Sequence, residues 1–228
     1  GGGSRRDAGV VEPAGVWGRE RETGLVGPVG GWGVGSVGDD SRGWRAAGLP
    51  PMRIGVNISA PQFQQLSFPL VVGSILREYA CDPALLELEI TETVAVQNIE
   101  TTTTAMRDLK ELGIRIAIDD FGTGQSSLVY LKRFPIDTVK IDRAFVRDVT
   151  TDESAAAIVS YVINLAHTLR LAVVAEGVET EEQWSFLKLN ACDQMQGFLF
   201  SQPLPADEAE EFMRTEQAKF STRETPRP

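Results

Sequence analysis

From Arg53 onward the chain alternates short β-branched runs with longer helical patterns, and nearly every β-branched run ends in a polar or ionisable residue. The expected strands are Arg53–Ser59, Leu86–Thr91, Ile114–Asp119, Thr138–Asp142, Leu171–Glu176 and Gln194–Phe198. Between them fall helical patterns at Phe68–Tyr79, Thr101–Leu112, Ser126–Arg133, Ser154–Leu169 and Glu181–Leu189, with a last helix at about Ala206–Ala218. Strands separated by helices of this length predict an α/β fold with a parallel sheet or barrel. Such strands are buried on both faces, so a carboxylate at a strand end needs a partner or a metal. In a TIM-like barrel that end carries the chemistry. Asn57, Glu89 with Glu92, Asp119 with Asp120, Lys140 with Asp142, Glu176 with Glu179, and Gln196 all fall there.

Oxygen donors without His or Cys suit hard cations, Mg²⁺ or Mn²⁺. Crowded carboxylates repel one another, and a divalent ion offsets that repulsion. Asp119 and Asp120 are adjacent in sequence. At a strand end, where alternation breaks down, such neighbours can address two ions about 3.5–4 Å apart, a spacing that clamps a phosphodiester for attack by water. Lys140 is placed to orient that water or to stabilise developing negative charge. The loop Phe121-Gly-Thr-Gly-Gln-Ser-Ser127 comes directly after the acid pair, and its glycines Gly122 and Gly124 permit unusual backbone angles beside a ligand.

Composition narrows the function classes. The 228 residues carry 32 acidic and 22 basic side chains, a formal net charge of −10, which argues against non-specific binding to DNA, RNA or an anionic membrane surface. Two isolated cysteines, Cys81 and Cys192, make neither a disulfide framework nor a CxxC metal site and read as small buried hydrophobes. No apolar run approaches a membrane helix, and the Gly-rich start lacks the apolar segment of a signal peptide. A cytoplasmic setting is expected. His167, the single histidine, reads as a packing or surface residue. The run Thr101–Thr104 reads as the opening of a helix that supplies its own cap.

The first segment differs in kind. Fifteen of the 22 glycines fall in residues 1–48, with Trp17, Trp32 and Trp44. Each helical Gly costs about 0.5–1 kcal/mol relative to Ala, so local drive to fold is weak. The expected organisation is a Gly-rich part at 1–49, a barrel core at 50–218 and a polar tail at 219–228. The first part reads either as a flexible leader or as a damaged piece of the adjoining domain.

The motifs Asn57-Ile-Ser, Glu89-Ile-Thr-Glu92, Asp119-Asp-Phe-Gly-Thr-Gly124, Val139-Lys-Ile-Asp142, Ala175-Glu-Gly-Val-Glu179 and Gln196-Gly-Phe198 occur in the order seen in EAL domains. The chain resembles that family of cyclic di-GMP phosphodiesterases, and their inactive relatives, from about Pro50 to Met213. The resemblance implies a TIM-barrel-like fold whose first strand runs antiparallel to the rest. It makes Asn57, Glu89 and Asp119 ligands of one metal ion and Asp120 a ligand of a second, either Mg²⁺ or Mn²⁺. Lys140 then contacts the attacking water. Glu176 is its general base or a water-linked ligand. Glu92 anchors the loop Gly122-Thr123-Gly124, Gln196 lies at the rim, and Asp142 and Glu179 support the ligands from behind.

The departures are equally specific. Gly9-Val-Val-Glu-Pro13, Glu22-Thr-Gly-Leu25 and Trp44-Arg-Ala-Ala-Gly-Leu-Pro50 resemble the loop and helices after the family's first strand, yet no Glu-Ala-Leu triplet occurs in these residues. The signature Glu and the arginine after it, which in the family bind metal and substrate phosphate, are both missing. Gly30, Gly31, Gly33, Gly35 and Gly38 fall where a helix is expected, and Gln125 replaces a usual Tyr. The expected fold is therefore an EAL barrel incomplete at its N-terminus, with its first strand missing and two exposed sheet edges. Three functions stay open: a catalytically impaired cyclic di-GMP phosphodiesterase, a non-catalytic module that binds cyclic di-GMP or a protein, and a poorly folding remnant. The expected partners are cyclic di-GMP and either a second copy or a partner signalling domain.

Overall fold

The computed structural model describes residues 4–5, 9–10, 42–122 and 128–223. Thr123, Gly124, Gln125, Trp17, Trp32 and the glycine run from Gly30 to Gly38 lie outside the described residues. Two short strands, β1 (Ser4–Arg5) and β2 (Gly9–Val10), pair antiparallel with each other. A helical turn α1 spans residues 42–46.

The body of the molecule is one six-stranded sheet. Its strands are β3 (Ile54–Asn57), β4 (Leu86–Thr91), β5 (Arg115–Phe121), β6 (Thr138–Ile141), β7 (Ala172–Ala175) and β8 (Gln194–Met195). They lie in chain order and every neighbouring pair is parallel. The connections are α2 (Ala60–Phe63), α3 (Phe68–Glu78), α4 (Glu92–Gln97), α5 (Ile99–Glu111), α6 (Leu128–Leu131), α7 (Arg143–Arg147), α8 (Glu153–Thr168) and α9 (Glu181–Leu189). Consecutive parallel strands in sequence order, each joined by a helical crossover, curl into a half-barrel. Among the described residues β3 and β8 are its edges.

Alternation along the strands sorts the chemistry. Leu86, Leu88 and Ile90 of β4, Ile116 and Ile118 of β5, and Val139 and Ile141 of β6 are buried in the apolar core. The helices close that layer. In α8 the buried residues Ala155, Val159, Val162, Ile163 and Ala166 form one stripe at helical spacing. The residues between the apolar strand positions face the other way and bond one another. Thr138 Oγ1 donates to Glu87 Oε1 at 2.7 Å, and Lys140 Nζ donates to Glu89 Oε2 at 2.6 Å. The strands are thus not purely apolar: one face is core, the other a polar interior.

Several local expectations shift. Helix α5 starts at Ile99, not in the threonine run, because Asn98 Oδ1 accepts the Thr101 N–H. Thr103 and Thr104 lie inside the helix and donate back to Ile99 O and Glu100 O. The last helix α10 runs Ala206–Arg223 and so extends into the stretch expected as a tail. His167, near the end of α8, meets Asp193 at 2.9 Å on the surface. Burial pushes the Cys192 thiol up to about 11, which leaves it an inert hydrophobe. No described helix is long and apolar enough to cross a membrane.

Candidate active site

Carboxylates at or just past the C-terminal ends of β4, β5 and β7 converge on Lys140 of β6. Its ammonium lies 2.6 Å from Glu89 Oε2, 2.7 Å from Glu176 Oε1 and 3.4 Å from Asp119 Oδ1. Each partner comes from a different part of the sheet. Glu89 stands on β4, Asp119 on β5 and Lys140 on β6, while Glu176 comes just after the last residue of β7. The Lys140 side chain is 5% exposed, so this is an interior ion cluster and not a surface pair.

The acid pair is placed by a backbone irregularity. In a regular strand Asp119 and Asp120 would point to opposite faces. The β5–β6 register shifts between Ile118 and Phe121, and Asp120 takes a φ of +53°. Such a bulge re-aims a side chain at the rim of a barrel. Carboxylate oxygens of Asp119, Asp120 and Glu176 lie within 4.8 Å of one another as a result. The Asp120 N–H donates to Asp119 Oδ1 at 3.0 Å, which holds the first acid in place.

Support comes from behind. Glu92, buried at the start of α4, accepts the Gly122 N–H on Oε2 at 3.1 Å and ties down the backbone just after the acid pair. Gly122 sits at φ +99°, and a Cβ there would press on Phe145. Asp142 caps α7 by accepting the Ala144 N–H at 2.8 Å and also faces Asp120. Gln196, exposed past β8, donates from Nε2 to Glu176 Oε1 at 2.8 Å. Asn57 ends β3 in register with Glu89 and is exposed. Glu179 is not among the carboxylates gathered at Lys140; it is its backbone N–H that donates to Gln183 Oε1. Gly55 belongs to none of the sequence motifs, yet it shapes the site. A Cβ there would collide with Glu89 Oε1, so the absence of a side chain on β3 makes room for that carboxylate. A glycine inside a strand was the available signal.

The electrostatics are lopsided. Burial would lower the Lys140 pKa, but Glu89 and Glu176 outweigh burial and hold it above the ordinary lysine range. Burial pushes Glu89 and Glu176 up, and Lys140 only partly offsets it. The asymmetry has a simple origin: one ammonium faces three carboxylates, whereas each carboxylate has a share of one ammonium. Asp120 is also raised, by burial first and then by Asp119 and Asp142. Negative charge therefore remains in excess, and the donors are carboxylates with one amide. That set fits a hard divalent cation.

A family model described as EAL domain matches residues 4–203. The signaling protein YkoW of Bacillus subtilis is 42% identical over 173 residues, covering 76% of this chain and 22% of that protein. The cyclic di-GMP phosphodiesterase NbdA of Pseudomonas aeruginosa is 42% identical over 175 residues, covering 77% of this chain and 22% of that protein. The chain spans about a fifth of the length of these relatives. Among solved structures, the PaMucR phosphodiesterase in complex with c-di-GMP superposes with a TM-score of 0.84 at 38% identity, covering 90% of this chain and 83% of that one. The manganese/cy-diGMP complex of Klebsiella pneumoniae BlrP1 gives 0.71 at 28% identity, covering 81% and 45%.

Proposed function

The chain belongs to the EAL domain family, and from that premise we propose that it is a metal-dependent phosphodiesterase domain for cyclic di-GMP whose turnover is impaired. The observation that carries this is the convergence of Glu89, Asp119, Asp120 and Glu176 around Lys140 at the strand ends. Asn57, Glu89, Asp119 and Asp120 would hold Mg²⁺ or Mn²⁺. When bound, such an ion supplies Lewis-acid polarisation and a more acidic water.

This chain's residues supply the rest. Glu176, raised by burial and held on Oε1 by Lys140 and Gln196, is suited to take a proton from water. The water oxygen bonds to one phosphodiester phosphorus, the ring P–O bond breaks, and the leaving oxygen takes up a proton. The product is the linear dinucleotide. Lys140 offers positive charge to the oxygens that gain negative charge. Glu92 fixes the Gly122 N–H, and with it the start of the loop beside the site. Thr123 and Gly124, next in sequence, are assigned with Gly122 to the substrate side, and Asp142 and Glu179 act as supports.

Impairment rests on the sequence: the 228 residues contain no Glu-Ala-Leu triplet. Loss of an outer-sphere partner alone costs about 10–100-fold in metal affinity or activity, and loss of a direct ligand costs more. The same feature supports a second reading, a module that binds cyclic di-GMP or a partner signalling domain without turnover, in a cytoplasmic setting. Turnover of cyclic di-GMP by the purified chain with Mg²⁺ or Mn²⁺, against Asp119→Asn, separates the two. Weak product formation that vanishes in the variant supports an impaired enzyme. Binding without product supports the module. Turnover at a full enzymatic rate would overturn the impairment.

A further inference from the structure

We propose that Lys140 is a built-in counter-ion, which holds the site together without metal and releases Glu89 and Asp119 when a divalent cation arrives. The inference rests on the metal-site reading and adds a competition within it. Lys140 reaches three carboxylates on separate elements, so it stitches β4, β5 and the end of β7 across the polar interior. Glu89, Asp119 and Glu176 have side chains 13%, 11% and 18% exposed, too buried to be left to repel one another. Without the ammonium these three buried acids would keep neutral donors, Gln196 on Glu176 and the Asp120 N–H on Asp119, but lose the positive charge that they share.

The overlap of partners makes this a competition and not mere support. Asp119 and Glu176 contact Lys140, and the same two residues join Asp120 in the cluster of close carboxylate oxygens. One ammonium against four carboxylates leaves the site negative, so a cation is still drawn in. It enters a space whose acids are already engaged, and a positive charge already present opposes it. Lys140 thus stabilises the empty site and weakens metal binding through the same contacts. A lysine acting only on water would do neither.

The test compares the full chain, stripped with EDTA, as wild type, Lys140→Met and Lys140→Arg. Thermal unfolding is measured without metal, and Mn²⁺ binding by calorimetry. Lys140→Met is expected to lower the metal-free Tm by about 5 °C or more and to bind Mn²⁺ about tenfold more tightly. Lys140→Arg keeps the charge and stays near wild type in both. An unchanged metal-free Tm, or equal or weaker Mn²⁺ binding by Lys140→Met, overturns the proposal while leaving the metal site intact. Absence of Mn²⁺ binding in wild type and variant alike overturns the metal-site reading and the competition with it. Should Lys140→Met not fold without metal, Glu89→Gln is compared with Glu89→Gln/Lys140→Met, where the neutral amide spares the lost partner. Tighter Mn²⁺ binding by the double variant supports the counter-ion role, and equal or weaker binding overturns it.

Discussion

Asp120 sits in a left-handed backbone region, at φ +53°, where a residue with a Cβ pays about 1–2 kcal/mol. Strain of this kind persists where the surroundings over-determine it, and here it turns two sequential acids toward one site. Asp120→Gly should relieve the strain, leaving stability equal or up to about 1 kcal/mol higher in urea unfolding, while Mn²⁺ affinity falls at least about tenfold. A loss of stability with unchanged Mn²⁺ affinity would contradict that role. The raised carboxyls add a pH dependence. Glu89, Glu176 and Asp120 hold their protons more tightly in the folded chain than in the unfolded one. Their contribution to metal-free stability is therefore present below the unfolded value, about 4–4.5, and lost as pH rises through the folded values. Metal must displace those protons, so the gain in Tm from Mn²⁺ should shrink as pH falls from about 8 to about 5. A gain independent of pH would contradict it. Much of this site was legible in the sequence: six strand ends carried the acids, the lysine and the amides. The bulge at Asp120 and the room made by Gly55 were not, because both are facts of backbone position that residue type signals only weakly.

At the scale of elements, strand β7 depends on a side chain that its own pattern does not contain. Asp193 Oδ2 accepts the Val173 N–H at 2.8 Å and meets His167 Nε2 at 2.9 Å, extending the ladder before β8 begins. The two contacts differ in weight. Asp193→Ala leaves a backbone donor inside the sheet unpaired and should cost about 1–3 kcal/mol. His167→Ala removes only a solvent-exposed partner and should cost less than about 1 kcal/mol. Equal losses in chemical denaturation would contradict that ranking. Element types came from period: alternation of Leu with Glu in Leu86–Thr91 and the apolar stripe of α8 need no tertiary information. Boundaries were less legible. The start of α5 is decided by the Asn98 cap, and β5 continues to Phe121 because the bulge carries pairing past the acid pair.

At the scale of the molecule, the described sheet is open, with β3 and β8 at its edges. Exposed apolar groups lie near the β8 edge, Phe198 at 57% and Phe200 at 44%. Open edges and apolar patches favour pairing with a second chain. Light scattering should show a mass that rises with concentration, and a strict monomer at high concentration would contradict an edge available for pairing. The barrel class was legible because parallel strands with helical crossovers allow few topologies. A cation-dependent cyclic di-GMP site at the strand ends is tested by a ligand titration of the folded chain with Ca²⁺ and then with EDTA. Binding is expected with the cation, lost in EDTA and weakened at least about tenfold in Asp119→Asn. Equal affinity in EDTA and in the variant, or no binding under any of these conditions, would contradict it.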